Sequence, residues 1–157
     1  TPMVIATGAI TAFMLGSAMG TLAGGVIADA SGKFQLMIAF GLAFSASCLL
    51  LVGYVPMQPA MLFGVLAIAG SLQGTTTPAR DMLVRSATPV GSTGKVFGFV
   101  YSGLDLGATI MPLIMGWLLD SGHAQAFFPL VAGVTLVTIL TATSIPTRRR
   151  AIPAAAE

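Results

Sequence analysis

No Asp, Glu, Lys or Arg occurs between Thr1 and Ala28, nor between Phe34 and Ala79. An apolar run of about 20 residues is long enough to cross the hydrocarbon core of a bilayer. The first run exceeds that length, and the second is long enough to cross twice. Charged residues make up 8% of the sequence and the mean hydropathy is +0.93, whereas a soluble domain carries about 25% charged residues. The chain is therefore read as an integral membrane protein. Inside a bilayer only helices and closed barrels satisfy the backbone. A barrel needs short alternating segments, which this sequence lacks, so the fold class expected is an all-α, polytopic bundle.

Charges and helix breakers divide the sequence into five spans, at about 3–28, 34–55, 60–79, 96–119 and 126–145. Pro56 and Pro59 separate the second from the third, "DSGH" at 120–123 separates the fourth from the fifth, and Pro146 closes the last. Residues 1–147 then form one helical bundle and 148–157 a tail. All seven basic residues fall on one side: Lys33 after the first span, Arg80, Arg85 and Lys95 between the third and fourth, and Arg148, Arg149 and Arg150 after the fifth. The positive-inside rule puts that side in the cytoplasm. The expected location is the plasma (inner) membrane, multi-pass, with a cytoplasmic C-terminus.

In the first span Gly8, Ala12, Gly16, Gly20, Gly24 and Ala28 recur at every fourth position. They make a nearly straight stripe over which another helix can approach closely. Within five helices alone this stripe is expected to lack its natural partner. Directly after it, Gly25, Asp29, Gly32 and Lys33 form G-x-x-x-D-x-x-G-K. The loop resembles the signature loop of the major facilitator superfamily, G-x-L-a-D-r-x-G-r-k. Gly25, Ile27, Asp29, Gly32 and Lys33 fit that pattern, whereas Ala30 and Phe34 stand where basic residues are usual. Its physical logic is a tight turn at Gly32 and an acid available to the positive end of a helix in the other half of such a molecule.

Three more spans follow the second, a count that matches helices eight to twelve of a twelve-helix transporter of that family. The stretch from Pro78 to Gly116 resembles the family's connection between helices ten and eleven, entered through Thr93, Gly94 and Lys95. Gly107, Pro112 and Gly116 keep part of a glycine-proline pattern, with Met111 where a Gly is usual and Pro112 as the expected helix kink. The resemblance implies a secondary active transporter of a small solute that works by alternating access, with protons as a candidate coupling ion. It also implies that an N-terminal half of the same protein lies outside this sequence, in keeping with a start at Thr-Pro rather than Met. A short internal echo points the same way, because "GVIADASG" ends the first span and "GWLLDSG" ends the fourth, as two inverted repeats would.

Asp105 is the only acid well inside a span. It lies about 15 Å above Lys95 by helical rise, close to mid-membrane, where a lipid-exposed charge costs on the order of 3 kcal/mol or more. Gly94, Gly98, Ser102, Asp105, Thr109, Pro112 and Gly116 share one small, polar helix face. Asp105 is thus a candidate proton or substrate site, or else a structural acid bonded to a neighbour such as Gln73. Gln73, in the third span, is itself a candidate substrate ligand or an interhelical hydrogen bond. Arg80, Asp81 and Arg85 form a candidate cytoplasmic gate, in which Asp81 and Arg85 have the favourable acid-first spacing of four.

Enzyme chemistry is not expected: H-E-x-x-H and G-x-S-x-G are absent, and there is one His and one Cys. No cofactor or metal site is expected, and the basic pI reflects membrane orientation rather than nucleic-acid binding. The expected partners are a small-molecule substrate, the lipid bilayer and the N-terminal half. The alternative is a non-transporting scaffold or sensor with the same fold, which would be indifferent to substitution of Asp105. Topology is checked by fusions: a fluorescent protein after Glu157 is expected to fold in the cytoplasm, and alkaline phosphatase inserted at Gln58 to be active outside. The opposite pattern would reverse every inside and outside assignment.

Overall fold

A computed structural model of the chain describes residues 2–89, 91–123 and 126–144. It has five helices: α1 (Pro2–Ser31), α2 (Phe34–Tyr54), α3 (Pro59–Ala87), α4 (Thr93–Asp120) and α5 (Phe127–Ser144). Each is long and apolar enough to cross a membrane. No strand occurs among the described residues, so the fold is all-α and polytopic as expected. The tail with Arg148, Arg149 and Arg150, and the expected end of the last span at Ile145, lie outside the described residues.

The third helix does not stop at the expected end of its span. It runs on through Pro78, Arg80, Asp81 and Arg85 to Ala87, for 29 residues in all. At about 1.5 Å per residue that is roughly 43 Å, against a hydrocarbon core of about 30 Å. The apolar stretch fixes where the bilayer can be, but the backbone keeps its helical bonds beyond it. α1 likewise carries Asp29 inside its last turn rather than in a loop.

α3 is the axis of the bundle. α1 packs along one side of it and α2 along another, α5 packs on α2, and α4 touches α3 only lightly. The α1–α3 contact is backbone against backbone. A Cβ on Gly16 would meet the carbonyl of Ala67, and one on Gly20 the carbonyl of Ser71. In return, Gly70 faces the carbonyl of Phe13 and Gly74 that of Ser17. A Cβ on Gly24 would lie 2.6 Å from Thr75 Cα. The Thr21 hydroxyl, which lies 2.9 Å from its own helix at Ser17 O, also approaches Gly74 O across the contact at 3.3 Å. The stripe therefore has its partner within this chain, contrary to expectation. Glycines on the facing helix complete it, and span-by-span reading had no means of pairing α1 with α3.

α2 is joined to α3 by the hydroxyl of the buried Ser45, 3.0 Å from Ala69 O and 3.3 Å from Gln73 Oε1. It is joined to α5 at both ends. Gln35 Nε2 donates to Ala142 O (3.2 Å) near the charged end, and Tyr54 packs against Phe128 at the other. Ile38, Ala79, Leu83 and Ala142 form a small core where α2, α3 and α5 meet. Most large apolar side chains point outward, which suits a lipid solvent, where burying them gains little and close packing holds helices together.

The two echoed segments end their helices in related ways. Gly32 (φ 60°) and Gly122 (φ 74°) adopt the left-handed conformation that halts a helix. Gly32 N donates to Ala28 O, while Gly122 N and His123 N donate to Leu119 O and Leu118 O.

The close crossing yields a paired test. Gly20→Ala forces two backbones apart and is expected to destabilise the protein in detergent by about 1–3 kcal/mol. Gly103→Ala, on α4 with open space around it, should be neutral or stabilising because Ala is the better helix former. Equal unfolding midpoints for the two variants would contradict the crossing.

Candidate functional site

α4 differs from the other helices in having no buried residue along its whole length. Its five glycines, Gly94, Gly98, Gly103, Gly107 and Gly116, face open space. The helix continues unbroken through Pro112. On one side it carries exposed Phe99, Ile110, Leu113 and Trp117, a lipid-compatible surface. The adjoining face, roughly a quarter turn round the helix, carries Ser102, Asp105 and Thr109, all exposed.

Helical geometry explains what these polar groups have left to offer. Ser102 Oγ donates to Gly98 O and Thr109 Oγ1 to Asp105 O, each at 2.8 Å. Such back-bonding uses the single hydroxyl proton and leaves the oxygen lone pairs free to accept. The Asp105 carboxylate makes no hydrogen bond or ion pair among the described residues. The alternative of a structural bond to Gln73 is not formed here, and Gln73 Oε1 instead approaches Ser45 on α2. Gln73 is nevertheless exposed, so its amide nitrogen has room for another partner.

At the charged end Asp81 is bonded on both oxygens. Oδ1 faces Arg80 Nη2 at 3.2 Å and Nε at 3.3 Å, and Oδ2 accepts from Tyr101 Oη at 3.2 Å. The pairing of Asp81 with Arg85 suggested by their spacing is not the one formed. Arg80 is adjacent and half-buried beside the carboxylate, whereas Arg85 is exposed and outside the pair among the described residues. Tyr101 was not singled out by sequence reasoning. The available signal was its position one helical turn before Asp105 on the same face.

The signature loop is likewise open. Asp29 and Lys33 are exposed and do not pair with each other, and Gly25 has open space where a Cβ would stand. It is Gly24, one residue earlier, that packs on α3. A shallow groove of about 530 Å³ lies wholly on α5, lined by residues such as Leu130, Val134 and Val137. It is mainly apolar and shares no residue with the polar groups above.

Comparison with known proteins supplies the family. The model of the Major Facilitator Superfamily matches residues 2–157. No curated protein and no solved structure matches the chain. With five membrane-length helices and a family match over essentially its whole length, the chain belongs to the Major Facilitator Superfamily, a family of membrane transporters.

Proposed function

We propose that the chain is part of a secondary active transporter in which Asp105 binds a proton or orients a small solute during alternating access. The observation that carries this reading is an acid about 15 Å into a membrane helix, on a polar face with nothing bound to its carboxylate among the described residues. A charge at that depth is tolerated only against protein interior or water. A water-filled path between this helix and an N-terminal half of the transporter provides such a place. Gln73 reaches the same path from α3, while Arg80, Asp81 and Arg85 form its cytoplasmic gate.

The open signature loop fits the same scheme. Asp29 and Lys33, unpaired among the described residues, form a latch at the cytoplasmic surface of the plasma (inner) membrane, where Asp29 engages a helix end of the other half. The C-terminal tail is cytoplasmic by the same charge distribution.

Asp105→Asn keeps the shape and removes the titratable charge. In energised membrane vesicles it is expected to abolish proton-driven solute accumulation while the protein inserts and folds normally. Normal accumulation by the variant would refute the assignment of Asp105. For the latch, Asp29→Asn is expected to shift the balance between inward- and outward-open states and to slow transport, and unchanged values of both would remove it from the scheme.

A further inference from the structure

The bond from Tyr101 to Asp81 is the only side-chain hydrogen bond that α4 makes to another helix among the described residues. It joins the least supported helix of the bundle to the axis formed by α3. At 3.2 Å and exposed, it is longer than the roughly 2.5–2.7 Å of a strong hydroxyl–carboxylate bond, but both partners are held in place. Arg80 fixes the other oxygen of Asp81. The Tyr101 ring stacks on Phe97, one turn nearer the charged end, with centroids 6.1 Å apart and planes 23° apart. One turn in the other direction, on the same face, stands Asp105.

We infer that Tyr101 is a positioning residue: through Asp81 it clamps α4 to α3 and so restricts access from the cytoplasm to the α4 face that carries Asp105. This rests on the reading of the Arg80 end as cytoplasmic and of Asp105 as the midplane site. Three features support a clamp over an interfacial anchor, the usual role of a tyrosine near a membrane surface. The hydroxyl donates to a carboxylate of the neighbouring helix. That carboxylate is pre-oriented by an adjacent cation. And the helix being held has no buried side chain to hold it otherwise.

The test is the access of water to position 105 in the full chain, embedded in inside-out membrane vesicles. With Cys48→Ser as background and Asp105→Cys as the probe, the rate of modification by a membrane-impermeant maleimide is measured from the cytoplasmic side. Tyr101→Phe keeps the ring and its stacking, and is expected to speed modification about fivefold, the equivalent of about 1 kcal/mol for one net hydrogen bond. Asp81→Ala should do the same, and the double variant should add nothing further, because the two residues act through one bond. A cysteine at Leu119, near the far end of α4, should be unaffected. Unchanged rates in Tyr101→Phe, or additive effects in the double variant, would overturn the clamp and leave Tyr101 an interfacial anchor. Since the probe replaces the Asp105 side chain, this result is independent of whether Asp105→Asn abolishes transport. A failure of the clamp is thus separable from a failure of the site.

Discussion

The bundle depends on two backbones that touch. Over successive turns α1 and α3 approach so closely that carbonyls of one helix occupy the space where side chains of the other would stand. Lipid tails are as apolar as leucine, so the hydrophobic effect gives helices little reason to associate, and dispersion contacts between closely packed backbones take its place. Glycine on both helices is the condition for that contact. The rest of the architecture follows from it, because α3 fixed against α1 becomes the surface on which α2 docks through Ser45, and α2 in turn holds α5 through Gln35 and Tyr54.

α4 stands outside this hierarchy. It buries nothing, and its one side-chain hydrogen bond to another helix among the described residues is a hydroxyl on a carboxylate. Four helices thus form a packed platform, and the fifth presents a polar face with a mid-membrane acid to whatever lies beyond. The proposed alternating access would use this combination of a body that moves as a unit and a site not buried within it. A transporter site must be satisfied by its solute, a proton or water rather than permanently by its own fold. Ser45, buried and bonded across α2 and α3, contrasts with Asp105, exposed and unbonded among the described residues, and that contrast underlies the proposed role of Asp105.

Much of this was legible in the sequence because the bilayer imposes so strong a constraint. The charge-free runs determined the helical class, the charges and prolines between them the number of helices, and Gly32 announced the turn that follows α1. The loop around Asp29 carried the family resemblance that the family match bears out. Pairing between helices was less accessible. A stripe of small residues says that a helix will be close to another but not which one, and the glycines of α3 that answer it are spread among Ser and Thr. Local spacing also misled at Asp81. The i, i+4 rule pointed to Arg85, whereas the adjacent Arg80 and a tyrosine from the next helix took both carboxylate oxygens. Short-range rules describe an isolated helix surface, and a neighbouring helix displaces them. The end of α3 was missed for a related reason, since hydropathy measures where lipid ends and not where helical hydrogen bonds end.

The most direct test of this account is amide hydrogen exchange of the protein in liposomes. The account predicts rapid exchange in α4 between Gly98 and Thr109, where water reaches the polar face. It predicts strong protection in α1 between Gly16 and Gly24, sealed against α3, and in α5, which faces lipid. If α4 proved as protected as α5, its polar face would be packed rather than wet, and Asp105 would be a structural acid rather than the site of transport.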